Sequence, residues 1–428
     1  MLPTDRCRQG AGGKPPQFCN RELYKRPDGV ADNYCLFHSR YELKDKDEVL
    51  AALKREIWND GDRDMDNFSR SVFPDGMTFE RLKFPRPVHF GGSRFVGYSS
   101  FLYTEFASEA YFDRAIFDHG LLFTRARFRG EVTFEEATFN SIAIFGEAKF
   151  TGPAYFIRTK FATIASFPST VVENVILIQD SNCGPIPDNV SELPTLDISS
   201  ARTRGSGAFH VIHVNHDSTP LHLRALNAVL DRCRFEDVNW HRKDGRLVLR
   251  DEADMAYLRV SNPELVKIAY DRLTAVFDST RSYDLAEECF VGAMEMTRRS
   301  PNTSRWHRSW LSAYRRVSNY GTSYLRPLLF LVGTFVLFSL LYAMPLSGLT
   351  ITNPVAGPIE SGLAIQSSLD RGLAAIVHSA QVSLFARQRD YQPGLPIGVI
   401  LTTVQPLLVA VHTAIFLLAL RRRFHRGH

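Results

Sequence analysis

Three cysteines and one histidine near the start of the chain have the types and spacing of metal ligands. They are Cys7, Cys19, Cys35 and His38, and Cys35-Leu-Phe-His38 forms a tight pair. Three thiolates and one imidazole complete a tetrahedral zinc site, and a segment with so few apolar residues needs such a staple to fold. Protein ligands would fill all four positions, so the predicted zinc is structural rather than catalytic. The alternative is free cysteines on a loosely ordered segment.

Phenylalanine recurs with a strict period over residues 68–167. The fold that this period dictates must position the candidate metal ligands. Successive phenylalanines alternate gaps of five and six residues, which gives an 11-residue unit. A continuous helix or a flat strand would point the rings in different directions. A chain that turns a corner after each ring places all of them in one interior column. The clearest members of this predicted core are Phe112, Phe117, Phe123, Phe128, Phe134, Phe139, Phe145 and Phe150.

Small residues recur three positions after the first ring of each unit. Phe112-Asp-Arg-Ala115-Ile-Phe117 and Phe134-Glu-Glu-Ala137-Thr-Phe139 are examples. Glycine occurs in several six-residue gaps, where we expect permissive corners, at Gly76, Gly120, Gly130 and Gly152. The pattern resembles the phenylalanine-rich form of the pentapeptide-repeat family. The resemblance implies a right-handed quadrilateral β-helix, although strict members repeat every five residues. An ordinary phenylalanine-rich sheet is the alternative.

The flanking segments are predicted to close this solenoid and continue it. A zinc knuckle over residues 1–45 is similar to the short knuckle that precedes the repeats in some family members. We expect a capping helix at 46–66, the β-helix at 67–180 and an interrupted continuation at 181–250. A helical hairpin at 263–300 follows, and it is similar to the helical pair that joins repeats to membrane segments in related proteins.

Two apolar stretches follow, and each is long enough to cross a bilayer. Transmembrane helices are predicted at 325–346 and 395–420. Arginines flank both on the side away from the 347–394 connection, so the positive-inside rule places both chain ends in the cytoplasm. The expected location is the bacterial inner membrane, and a buried hairpin of a globular domain is the alternative. Segments 314–329 and 418–424 resemble those of membrane-anchored pentapeptide-repeat proteins.

An interfacial helix is predicted at 304–320, ahead of the first span. Trp306, Trp310 and Tyr314 recur there at helical spacing, opposite several arginines. Between the spans, residues 368–386 are too polar to cross a bilayer comfortably and fit a re-entrant or interfacial helix. Span, short helix, span is the layout of two-helix ion channels, but the potassium-filter motif is missing.

Polar residues in this region are candidates for pore lining or for helix packing, and the sequence leaves both open. They are His378, Gln381, Arg387, Arg389, Gln405, Pro406 and His412.

Nothing in the sequence indicates catalysis, since no phosphate-binding loop, nucleophile elbow or metalloprotease motif is present. Between residues 79 and 167 there are 11 Lys and Arg against 9 Asp and Glu, which excludes an acidic mimic of DNA. Two functions remain. In one, a cytoplasmic solenoid senses or recruits a protein partner and controls an oligomeric pore. In the other, the solenoid is a membrane-anchored scaffold without conduction. Both predict contact with a lipid bilayer and none with nucleic acid.

Overall fold

The computed structural model describes the whole chain except residues 1–18, 20, 31, 41–42, 59–63, 163, 185–192, 216–218, 230–231, 259–261, 352–367, 387–388 and 427–428. It contains two compact units, residues 1–297 and 298–428. Each unit is described by itself.

The first unit is built around a β-solenoid whose coils run through four parallel sheets, here named A to D. Neighbouring coils pair residues 22 positions apart, for example Asp66 with Val88 and Ile116 with Thr138. One coil therefore uses two of the 11-residue units. The predicted solenoid is confirmed, and it makes about 7 turns.

The strands are short, and most of them contain two residues. Sheet A contains Asp66–Asn67, Val88–His89, Ala110–Tyr111, Val132–Thr133, Ala154–Ile157, Val175–Gln179, Ala208–Val214 and Cys233–Val238. Sheet B contains Val72–Phe73, Arg94–Phe95, Ile116–Phe117, Thr138–Phe139, Lys160–Phe161 and Asn182–Cys183. Sheet C contains Met77–Thr78, Ser99–Ser100, Leu121–Leu122, Ala143–Ile144, Ile164–Ser166, Thr195–Asp197 and His222–Arg224. Sheet D contains Lys83–Phe84, Glu105–Phe106, Arg127–Phe128, Lys149–Phe150, Val171–Val172 and Arg202–Thr203.

The phenylalanine rings fill the interior as stacked ladders. Phe106 and Phe128 are parallel within 1°, with ring centroids 5.0 Å apart, and Phe128 continues onto Phe150 at 4.8 Å. Rings of neighbouring ladders meet edge to face, as Phe101 does with Phe112 at 89°. All these side chains are buried. Offset stacks and edge-to-face pairs each add about 0.5–1.5 kcal/mol beyond area burial, so the regular period is itself stabilising.

The corners differ from the prediction about glycine. The positive-φ residue is the third one in each five-residue interval, and it is usually charged, as at Arg114 and Glu136. Of the four glycines named above, only Gly76 has positive φ. Gly130 and Gly152 are needed for another reason. A Cβ on Gly152 would lie 2.1 Å from the carbonyl oxygen of Gly130 in the preceding coil.

Helices close both ends of the solenoid. Helix α1 (Lys46–Trp58) buries Val49, Leu53 and Ile57 against the same core as the first rings. At the other end, a hairpin of strands Arg242–Lys243 and Arg246–Leu247 leads into α2 (Arg250–Leu258), α3 (Pro263–Ser279) and α4 (Tyr283–Arg299).

A buried polar lock joins the end of the solenoid to these helices. The Tyr270 hydroxyl donates to Glu252 across 2.6 Å, and Arg246 pairs with Glu252 at 2.6 Å. Close approach of α4 to α3 depends on Gly292, where a Cβ would lie 2.6 Å from the Tyr270 ring.

The second unit is helical. It contains α5 (Arg305–Ser318), α6 (Leu325–Ala343), a 3-10 turn (Pro345–Ser347), α7 (Ser368–Ser383) and α8 (Pro396–Arg426). An antiparallel pair of strands, Leu349–Ile351 and Tyr391–Pro393, joins the segment after α6 to the segment before α8. This pair fixes both ends of the 347–394 connection beside each other.

Candidate functional site

The described members of the predicted zinc set lie together beside the first coil. The Sγ atoms of Cys19 and Cys35 are 3.8 Å apart, and Cys35 Sγ lies 3.4 Å from His38 Nδ1. All three ligand atoms lie within 4.8 Å of one another. Cys35 and His38 are buried. Cys7, the fourth predicted ligand, lies outside the described residues.

The orientation of His38 suits a metal ligand. Its Nε2 lies 3.0 Å from the carbonyl oxygen of Ser69, at the start of the solenoid. When Nε2 carries the proton and donates to that carbonyl, Nδ1 presents its lone pair to the two sulfurs. Metal-bound histidines usually have such an outer hydrogen bond, because it fixes the tautomer and the ring. The cluster can therefore hold a metal ion.

The half-buried Arg21 connects the cysteine cluster to α1 and to the core. Both Nε and Nη2 of Arg21 donate to Glu56 at 2.6 Å. The guanidinium lies 4.8 Å from the centre of the Phe37 ring, and Nη1 is 3.7 Å from Cys19 Sγ. A cation at this distance favours the thiolate form that binds metals.

Lys44 reinforces the same knuckle from the other side. Its ammonium group donates to the carbonyl oxygens of Leu36 and Ser39, both at 2.9 Å. Burial lowers the pKa of Lys44 to about 8, and the nearby Cys35 and Asp32 only partly oppose this shift. The knuckle is thus held by side chains even where few apolar residues are available.

In the second unit, α6 and α8 are long and apolar enough to cross a membrane. Of the most apolar 18-residue stretch of each helix, only 22% in α6 and 17% in α8 is buried within the protein. The core helix of a soluble domain would hide most of such a surface, whereas a lipid-facing helix leaves it exposed. Their composition and exposure together indicate membrane association.

A polar side chain of α8 binds α7 between these apolar helices. Gln405 is fully buried, and its Nε2 donates to the hydroxyls of Ser379 and Ser383, both at 2.8 Å. Ser379 also donates to the carbonyl of Phe335 in α6, at 3.3 Å. One short helix is thus hydrogen-bonded to both long helices.

The residue before Ser379 in α7 makes a second contact with α6. His378 is buried, and its ring meets Tyr342 of α6 edge-on, with centroids 4.7 Å apart. Among the described residues, the Tyr342 hydroxyl and both His378 nitrogens lack hydrogen-bond partners. Gln381 donates to Asp390 at 2.5 Å and accepts from its backbone N–H. This pair fastens the return segment to α7.

The remaining predicted candidates occupy different positions in this unit. His412 stacks on Phe330 of α6, with ring planes 6° apart. Pro406 lies inside α8, which continues through it. Arg389 is in the segment before the strand Tyr391–Pro393, and Arg387 lies outside the described residues. The structure therefore brings His378, Gln381 and Gln405 together at α7, with the charge of Arg389 near His378, and places His412 against Phe330 of α6.

Helix α5, which precedes α6, presents an aromatic surface. Trp306 and Trp310 are 73% and 60% exposed, and their rings pack edge to face at 5.8 Å. The helix begins at the cap Ser304 and ends at Asn319, which is left-handed like Tyr320 and Gly321 after it. This exposed pair of indoles, with arginines on the same helix, suits the headgroup region of a bilayer.

Comparison with known families agrees with the solenoid. The family model described as pentapeptide repeats (9 copies) matches residues 123–171. Neither curated proteins nor solved structures gave a match. The matched segment lies inside the four sheets, so the solenoid is of the pentapeptide-repeat class. The described part of the chain thus combines a pentapeptide-repeat solenoid with two helices long and apolar enough to cross a membrane.

Proposed function

We propose that this chain is a non-enzymatic integral membrane protein in which a cytoplasmic solenoid is coupled to an oligomeric, pore-like module. The module consists of α6, α7 and α8. The observation that carries the proposal is the hydrogen bonding of α7 to the middle of α6 and to the first third of α8 through Gln405, Ser379 and Ser383.

The depth of α7 supports a re-entrant helix. Phe335 lies near the middle of α6, and Gln405 lies nine residues into α8. At 1.5 Å per residue, Gln405 is about 14 Å below the start of its helix, near the centre of a bilayer. Arg389 and Asp390 lead into the strand Tyr391–Pro393, and Asp390 is bonded to Gln381 of α7. Leu384, 80% exposed at the turn, suits contact with lipid.

Anchoring alone would not require this arrangement, because two spans already hold a domain at a membrane. A polar helix embedded between spans is typical of proteins that provide a water or ion path. One pair of helices cannot enclose such a path, so the proposal includes several copies of the chain. The arginines at the start of α6 and the end of α8 favour cytoplasmic chain ends and a bacterial inner membrane.

The remaining parts of the chain receive supporting roles. Two thiols and an imidazole are preferred ligands of zinc, and we propose a structural zinc ion at Cys19, Cys35 and His38, with Cys7 as the fourth ligand. The long, regular solenoid surface is proposed to recruit a cytoplasmic protein. No catalytic step is assigned to any residue.

Reconstitution tests the pore. The purified chain is placed in liposomes loaded with a fluorescent reporter of potassium or chloride, and flux is compared with liposomes holding Gln405→Leu. We expect flux from the wild type and altered flux from the variant. Oriented, intact protein without flux of either ion would reject the pore and leave a membrane-anchored scaffold.

A further inference from the structure

Sheet D of the solenoid is a basic face. Its outward side chains are set by the strand register, and all are at least partly exposed. The cations are Arg81, Lys83, Arg125, Arg127, Arg129, Lys149, Arg202 and Arg204. The anions are Glu105, Glu147 and Glu173. Three ion pairs neutralise part of the positive charge of sheet D: Arg129 with Glu105, Arg125 with Glu147, and Lys149 with Glu173. A net positive surface is left.

The middle coils of the neighbouring sheet A carry the opposite charge. Along its middle coils the outward residues include Glu109, Asp113, Glu131 and Glu135, and no lysine or arginine lies on this face from 109–113 or 131–135. Some of these carboxylates have local partners, since Asp113 accepts from Thr133 at 2.5 Å and Glu135 forms an ion pair with Arg158. Sheets D and A share one corner, so a basic and an acidic face meet along one edge of the solenoid.

Two residues beside this corner stand out. Arg127 on sheet D is exposed, and Glu131 next to sheet A is partly exposed. Neither forms an ion pair among the described residues. They belong to the same coil, on either side of Phe128 and Gly130, and so lie at nearly the same height along the solenoid. The two patches are therefore level with each other.

We infer that the acidic sheet A of one copy docks against the basic sheet D of a second copy, so that the solenoids assemble into a closed ring. The inference rests on the oligomer of the proposed function and names its interface. A contact between two different faces is heterologous, and it closes only if the rotation between those faces divides a full turn. Four faces per coil place neighbouring faces at about 90°, which predicts a ring of about four copies with parallel solenoids.

The positions of the charged residues along the solenoid axis fit this symmetry. A cyclic ring rotates copies without sliding them, so contacts join residues at equal height. Arg127 of one copy would then face Glu131 of its neighbour. The shared corner would lie nearest the axis, and in the middle coils it is occupied by Ser108, Gly130 and Gly152. These small residues allow the copies to approach closely.

Other anionic partners fit the basic face less well. The ring of Tyr103 lies between Arg81 and Arg125, which are 5.6 and 5.4 Å from its centre, so it cannot stack on a base. Glutamates interrupt the cations in three of the six coils of sheet D, at Glu105, Glu147 and Glu173, and would repel a continuous run of phosphates. A complementary partner must carry an acidic patch at the same height along the solenoid as these cations. Sheet A carries such a patch.

Charge reversal tests the interface in the full chain. Native mass spectrometry in detergent and light scattering at low salt measure the copy number of the wild type, Arg127→Glu, Glu131→Arg and the double variant. Lys160→Glu, exposed on sheet B, is the control. We expect four copies for the wild type and the control, loss of the ring in each single variant, and its recovery in the double variant. High salt should also weaken the ring, because partly exposed ion pairs are screened.

Flux from the same preparations separates this inference from the proposed function. Rings that persist in both single variants would overturn the interface while leaving the pore proposal intact if flux remains. A wild type with another copy number overturns the inference too, and a monomer without flux rejects both. Variants that keep the ring but lose binding to vesicles with anionic lipid would assign sheet D to the membrane surface instead.

Discussion

Gln405 in α8 donates its side-chain hydrogen bond to the hydroxyl of Ser379 in α7 across 2.8 Å. The residues are 26 positions apart and both are fully buried. In an apolar setting, leaving such groups unpaired is costly, so each side chain fixes the position of the other helix.

Replacing Gln405 with Leu should release α7. Hydrogen bonds between membrane helices contribute about 0.6 kcal/mol on average and up to about 1.7, and Gln405 makes several. We expect hydrogen exchange of the α7 amides to rise roughly tenfold, which corresponds to about 1.4 kcal/mol. Thr403→Val is the control, because Thr403 is exposed and bonds only to its own helix at Val399. Equal exchange in the two variants would contradict the assignment.

Removing the Phe123 ring should cause a large loss of folding stability. It is fully buried and stacks on Phe101 at 4.7 Å and on Phe145 at 5.2 Å. Phe123→Ala leaves a cavity and should destabilise the solenoid by about 3–5 kcal/mol. Phe123→Leu fills most of that space and should lose much less. Thermal unfolding followed by circular dichroism gives the comparison, and near-identical midpoints for both would argue against a shared ladder.

Two buried serines allow a comparison between an interior hydroxyl that is hydrogen-bonded and one that is not. Ser93 donates to the carbonyl of Phe68 in the preceding coil, at 2.7 Å, whereas the Ser71 hydroxyl has no partner among the described residues. Ser93→Ala should cost about 1 kcal/mol, while Ser71→Ala should be neutral or stabilising. Ala115 and Ala126 occupy the equivalent position in later coils, so either alanine fits. The reverse order of unfolding midpoints would contradict this reading.

Zinc content tests the knuckle. Elemental analysis of the purified full chain should give about one zinc per copy, in line with a single four-ligand site. Cys35→Ser and His38→Ala should both lose it. Cys289→Ser is the control, since that buried thiol in α4 is remote from the cluster in sequence and lies among apolar side chains. Wild-type protein purified without chelator and free of zinc would reject the site.

His222 should make the end of the solenoid sensitive to acid. Its ring stacks on His241 at 4.0 Å. Burial first, then His241 and Arg250, lower the pKa of His222 from 6.5 to about 4. Between these values the unfolded chain binds more protons, so stability rises as pH increases from about 4 to about 6.5 and is lost on acidification. The midpoint of His222→Gln should fall less from pH 6.5 to 4.5 than that of the wild type. Parallel slopes would contradict the shift.

The solenoid could be predicted from the sequence because the spacing of the phenylalanines follows directly from the geometry of one coil. Gaps of five and six residues between rings are compatible with few backbones, and the ring positions alone placed Phe112 to Phe150 in the core. The glycines were misread because a corner and a close approach both favour glycine. Only coordinates show that Gly152 avoids the backbone of the preceding coil, while Arg114 takes the left-handed corner.

The candidate sites were harder, since they depend on contacts between distant positions. Cysteine and histidine types signalled the knuckle, but nothing local indicated that Arg21 would reach Cys19 and Glu56. Gln405 was noticeable as a polar residue in an apolar stretch. Its partners Ser379 and Ser383 were not, because serines are common in such helices. Helix α2 and the strand pair Leu349–Ile351 with Tyr391–Pro393 also lacked a strong pattern.

The depth of the turn after α7 tests the membrane module most directly. A spin label at Leu384, in a variant reconstituted in lipid, reports its exposure to oxygen and to a water-soluble nickel complex. Labels at Tyr391 and Trp310 serve as references nearer the surface. We expect high oxygen and low nickel accessibility at 384, as at the bilayer centre. Nickel accessibility at 384 equal to that of the references would place α7 outside the membrane and contradict the re-entrant helix.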